Sequence, residues 1–204
     1  MKFIKWKTLI LTTVICLLPI LLGLAMWNIL PDRIAIHFNI NNEPDNFASK
    51  EFAVFGLPIL MAFLQIFCTI TNDYTSRKHN VNKKIEKLTT WIIPAMSVVL
   101  QTITLGYSVG WEIDIRKIVI LIIAVIFLLT GAFLPKSDYV KNRKINSEKA
   151  RKINKFMGFE TVIMGILALI TLFLPPVFTI IWLFLFIPYT ILGILYQIKV
   201  SKEK

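Results

Sequence analysis

Six near-continuous apolar runs constrain this chain more than any other feature: Thr8 to Leu30, Phe52 to Ile70, Trp91 to Val109, Ile118 to Leu134, Met157 to Leu174 and Val177 to Ile198. A helix rises 1.5 Å per residue, so runs of this size reach across a hydrocarbon layer roughly 30 Å thick once tilt and local thinning are allowed. The fourth run, at 17 residues, is the shortest. With 56% hydrophobic against 17% charged residues, the composition places the core against lipid rather than water. The expected fold is an all-α membrane protein of about six transmembrane helices, organised as one membrane domain over 1–204.

The basic residues give the spans a direction, because Lys and Arg near span ends are retained on the cytoplasmic side. With both termini inside, 19 of the 23 fall in inner segments, and only Arg33, Lys50, Arg116 and Lys117 lie outside. One missed span would invert every later loop, so the count and the sidedness support each other. The net charge of +11 follows from this bias and from attraction to anionic membrane lipids, which are expected partners. It calls for no direct nucleic-acid binding. The first run follows Lys2, Lys5 and Lys7 in the manner of a secretory leader. It is longer than a leader's apolar region and lacks an A-x-A-like cleavage site, so it is read as a retained span.

Val81, Ile85 and Leu88, interleaved with Lys83, Lys84 and Lys87, have the spacing of a helix lying in the interface ahead of the third span. Ala150, Ile153 and Met157 repeat the pattern ahead of the fifth. Within the spans, charge is nearly absent. Glu160 is placed by the run boundaries in the first turn at an inner end, where it would favour the helix N-terminus. Gln65, Gln101, Thr102 and Thr104 are candidates for bonds between helices, and Pro58 and Pro188 for kinks.

The one long outer segment runs from Pro31 to Lys50. Ile34, Ile36, Phe38 and Ile40 alternate with Arg33, Ala35, His37 and Asn39, a strand period with one apolar and one polar face. Asn41-Asn42 tolerates positive φ, and Pro44-Asp45-Asn46 reads as a second turn. Ser49 is placed to cap the second span, with Glu51 adding favourable charge. A small folded extracytoplasmic loop between helices 1 and 2 is expected.

The pattern Leu-Pro-x-x-x-Ala-x-His-Phe-Asn over Leu30 to Asn39, followed by Glu-Pro-Asp-x-Phe-x-Ser-Lys over Glu43 to Lys50, resembles the N-terminal signature of the SdpI-type immunity proteins of bacteria. Asn42 stands where that family usually has glycine. Gly-Ala-Phe-Leu-Pro-Lys, from Gly131 to Lys136, looks like the family's Gly-Asn-Tyr-Leu-Pro-Lys segment, whereas Lys144-Ile-Asn-Ser departs from it. The resemblance implies a multi-pass protein of the bacterial cytoplasmic membrane that protects its producer from a secreted toxin peptide bound at the outer face. It also implies signalling through a cytoplasmic transcriptional repressor held by the inner loops.

On this reading His37, Asn39, Asp45 and Lys50 are polar contacts and Phe38 and Phe47 apolar ones, with Pro44 and Ser49 completing the motif. His37 and Asp45 could equally bond each other to hold the loop. Two other classes stand beside it: a membrane-embedded hydrolase and a transporter or exporter of peptides or small molecules. One outer histidine with scattered carboxylates is a poor zinc set, and no phosphate loop or H-E-x-x-H occurs. No catalytic residue, metal or cofactor is expected. Spans without charge disfavour transport.

Overall fold

A computed structural model of the protein describes residues 4–79, 81–136 and 147–202. Among them, six helical stretches are long and apolar enough to cross a membrane: Trp6–Ala25, Phe52–Arg77, Lys83–Ser108, Ile115–Lys136, Glu148–Thr171 and Val177–Lys202. The protein is an all-α, multi-pass membrane protein, and its one described sheet is a two-stranded hairpin between the first two spans.

The first span is α1 (Trp6–Leu17) and α2 (Pro19–Ala25). A π turn at Phe52–Gly56 leads into α3 (Leu57–His79). Then come α4 (Lys83–Ser108), α5 (Ile115–Phe133) and α6 (Ser147–Thr171). The sixth span divides into α7 (Val177–Phe184) and α8 (Phe186–Lys202), with the break just ahead of Pro188.

These helices overrun the apolar runs because Lys, Arg and Glu are good helix formers, and the backbone ladder continues into the charged flanks. Two expectations are corrected by this. The segments around Ile85 and Ile153 are not separate interfacial helices but the first turns of α4 and α6, with Ile85 and Ile153 buried. Glu160 is not in a first turn, since α6 begins at Ser147 and carries it in its middle. Of the loop between the fourth and fifth runs, residues 137–146, including Lys144-Ile-Asn, lie outside the described residues.

The chain divides into two compact units, Met1–Tyr74 with Thr89–Ile118, and Thr75–Leu88 with Val119–Lys204. In the first, prolines interrupt the backbone hydrogen-bond ladders of the spans, and polar side chains from neighbouring spans meet carbonyls beside them. Pro94 has no N–H for the Thr90 carbonyl, which Gln65 Nε2 reaches at 3.0 Å. In the π turn, Leu57 N–H bonds the Phe52 carbonyl, and Pro58 has no N–H for the next one. That carbonyl, of Ala53, accepts from Gln101 Nε2 at 2.7 Å. Beside the Pro19 break, Ser97 Oγ donates to the Cys16 carbonyl at 2.9 Å. Gln65 and Gln101 thus bond between helices as expected, while Thr102 bonds within its own helix, to Val98.

In the second unit, glycine governs contact. A Cβ on Gly131 would sit 2.7 Å from the Gly158 carbonyl oxygen, so α5 and α6 touch backbone to backbone there. Ile120, Ala124, Met164, Ala168 and Trp182 form one buried cluster and Ala150, Ile153 and Val200 another, and Trp182 Nε1 donates to the Met164 carbonyl at 3.0 Å.

Candidate functional site

The hairpin is built from β1 (Arg33–Phe38) and β2 (Pro44–Ser49), paired antiparallel with Arg33 opposite Ser49 and Phe38 opposite Pro44. Two features correct the sequence reading. Residues 44–46 extend as strand rather than turn, the reversal being made by Asn39 to Glu43 alone. The in-and-out alternation of β1 is broken too, since Ile34 and Ala35 are both buried and the register slips on either side of His37. A bulge of this kind re-aims a side chain. Here the side chain is His37, whose Nδ1 lies 2.5 Å from Asp45 Oδ1, with both groups well exposed.

The tip is organised by two asparagines. Asn39 Oδ1 accepts from the N–H groups of Asn41 and Glu43, and its Nδ2 donates to Glu43 Oε2 at 2.8 Å. Asn42 has φ +65°, a conformation that asparagine enters more readily than most residues. Its amide reaches away from the hairpin, donating to the Ile113 carbonyl at 3.0 Å and accepting from Ile115 N–H at 2.8 Å. The hairpin tip is thereby stapled to the connection between α4 and α5.

That connection is itself well defined. Gly110, at φ +94°, ends α4 in a Schellman arrangement, with Trp111 N–H on the Gly106 carbonyl and Gly110 N–H on that of Tyr107. Asp114 Oδ1 caps α5 by accepting from Lys117 N–H at 3.0 Å.

The base of the hairpin is fixed as firmly. Ile34 is fully buried with Leu30, Ala53, Val54 and Leu105. Ser49 Oγ accepts from Phe52 N–H at 3.2 Å, the capping role expected of it. Lys50 is largely buried: its Nζ lies 3.4 Å from the Trp27 carbonyl, 5.4 Å from the Trp27 ring centre and 3.6 Å from Asp32. Phe38 packs edge-on against Tyr107, ring centres 4.8 Å apart.

The motif residues therefore separate. Asn39, Pro44, Ser49, Lys50 and Phe38 hold the cap together or to the spans, whereas His37, Asp45 and Phe47 face outward, Phe47 with the Arg33 guanidinium 6.0 Å from its ring centre.

The free edge of β2 is blunted. Lys50 N–H bonds the Asp32 carbonyl, and alternation along the strand turns the Phe47 backbone toward the open side. Its N–H is taken up by Asn46 Oδ1 at 2.8 Å, and Pro44 has none to offer. The staple by Asn42 and the packing of Tyr107 and Trp111 were not found from sequence. Gly110 after an apolar run and Asp114 before the next were legible as helix stop and start signals, but nothing in their spacing pairs them with residue 42.

Fold and cap together define a multi-pass helical membrane protein with a hairpin cap between its first two spans. Residues 14–62 match a family described as a domain of unknown function, DUF1648, a stretch that runs from within α1 across the whole hairpin into α3. Comparison with curated proteins and with solved structures finds no match.

Proposed function

We propose that the chain is an SdpI-type immunity protein, resident in a bacterial cytoplasmic membrane with both termini in the cytoplasm, that binds a secreted killing peptide at its outer face. The observation that carries this reading is that the Leu30 to Lys50 motif folds as a cap whose structural members are buried or bonded to the turn and the spans, while His37 and Asp45, whose side chains bond each other, and Phe47 are presented to solvent. The blunted β2 edge favours recognition by side chains over addition of the peptide as a third strand.

The sidedness is supported by the basic-residue bias and by the geometry of the first unit. Its cap meets the α4–α5 connection at one end. At the Lys5 end of α1, the Lys5 N–H meets the Asp73 carboxylate at 2.8 Å. Retention of a cytoplasmic transcriptional repressor at the membrane when the peptide is bound is a second part of the proposal, and it falls to the basic inner loops.

The test is survival of a sensitive bacterium expressing the chain when challenged with a killing peptide. Protection by the native chain, lost on alanine substitution at His37 and Asp45 with membrane abundance unchanged, is the expected result. Absence of protection across a panel of such peptides would remove the reading. Recovery of no cytoplasmic protein with peptide-loaded membranes would remove the repressor.

A further inference from the structure

Beside the hairpin tip lies an open depression of about 530 Å3, lined by Asn42, Tyr107, Gly110, Trp111, Glu112 and Asp114 among others. Two of the cap's residues build its walls: Phe38 holds the Tyr107 ring, and Asn42 pins the backbone at Ile113 and Ile115. The Trp111 indole lies flush on Gly106, where a Cβ would come within 2.2 Å of the ring, yet the residue is 53% exposed. One side of the indole is thus fixed against α4, and the rest is open.

Charge makes the depression selective. Arg116 and Lys117 offset Asp114, at 3.7 and 3.5 Å. Glu112 is exposed, and no hydrogen bond or ion pair to it is found among the described residues. An open indole beside a carboxylate that no described group pairs directly attracts a cation through the ring quadrupole and through the charge. The same carboxylate disfavours an anionic group, and the aromatic walls favour a carbon stem over a bare inorganic ion.

We propose that this depression is a subsite for a cationic group on an apolar stem, namely a lysine or arginine side chain or the terminal amine of the peptide bound by the cap. The inference rests on the proposed function and assigns the peptide one required chemical feature. Because the walls are set by a helix stop, a helix cap and the Asn42 staple, the subsite is in place before the peptide arrives.

The experiment uses the full chain in detergent micelles, labelled with 5-fluorotryptophan, the Trp111 fluorine signal being assigned with Trp111→Phe. The signal is titrated with n-butylammonium chloride, n-butanol and sodium butyrate. Expected are a saturable shift with the ammonium alone and binding about tenfold weaker in Glu112→Gln, the loss of one charge-assisted contact. Circular dichroism checks that this variant is folded, and Glu112→Asp is expected to retain most of the affinity. Equal shifts from butanol, an unchanged Glu112→Gln titration or no shift at all would overturn the subsite. So would a shift produced by zwitterionic lipid in nanodiscs but not by the ammonium, which would make the depression a lipid seat. The titration reads no protection, so native protection with a failed titration removes the subsite alone, and a successful titration without protection removes only the immunity reading.

Discussion

The Gln65 side-chain amide donates to the backbone carbonyl of Thr90, the one carbonyl of α4 that Pro94 leaves without its helical partner. Gln65 is fully buried, so this bond is made where no water competes. Replacing Gln65 by Leu keeps the volume and leaves the carbonyl unsatisfied, at a cost of about 1–2 kcal/mol, the upper range for polar contacts between spans. In Gln65→Leu with Pro94→Ala, residue 94 regains an N–H that can bond Thr90 within the helix. Thermal unfolding in detergent should therefore show the double variant closer to the native chain than Gln65→Leu alone. Simple additivity of the two single changes would refute the pairing of proline and amide.

Asn42 serves both the hairpin and the α4–α5 connection, and two substitutions separate these duties. Asn42→Gly keeps the positive φ and loses both bonds to Ile113 and Ile115, while Asn42→Ala loses them and adds roughly 1–2 kcal/mol of left-handed strain. Both variants should speed hydrogen exchange at the Ile115 amide, and only the alanine should also loosen the hairpin amides. Unchanged exchange at Ile115 in both would mean that the staple contributes nothing to holding the connection.

The contrast between these two asparagine and glutamine sites shows what the sequence discloses. Six spans are legible because lipid demands long apolar runs, and the Leu30 to Lys50 cap because its turn residues are local signals. Gln65 and Gln101 are legible as polar residues wanting a partner inside the membrane, but their partners are carbonyls exposed by Pro94 and Pro58 on helices far away in sequence. The misread turn at Pro44 has a physical origin too. Proline and asparagine favour turns, yet the β-bulge at His37 lets Asp45 sit across the strands from it, and pairing overrides propensity. The Trp111 depression had no local signature, since its walls come from two separate loops.

His37 and Asp45 are exposed, and an exposed ion or hydrogen-bonded pair contributes about 0–1 kcal/mol. His37→Ala and Asp45→Ala should therefore leave the unfolding temperature and membrane abundance nearly unchanged and, under the proposed immunity function, reduce protection against a killing peptide. Lys50→Ala should behave oppositely: its largely buried side chain spans Trp27 and Asp32, and its loss should lower stability. If the His37 and Asp45 variants destabilise the cap as much as Lys50→Ala does, the outward pair is a structural clasp rather than a contact for the peptide.

Two glycines in the second unit look alike in sequence and differ in what surrounds them. At Gly131 an added Cβ would meet the Gly158 carbonyl oxygen at 2.7 Å and the Val162 nitrogen at 2.9 Å, both backbone atoms that cannot turn aside. Gly131→Ala must push α5 and α6 apart, a cost of about 1–3 kcal/mol by comparison with other overpacked sites. At Gly193 the nearest atom to an added Cβ is Glu160 Oε2 at 3.6 Å, an ordinary contact, and alanine is the better helix former by roughly 0.5–1 kcal/mol. Gly193→Ala should therefore be neutral or slightly stabilising where Gly131→Ala lowers the unfolding temperature. Equal effects of the two would mean that α5 and α6 do not meet at Gly131 and Gly158.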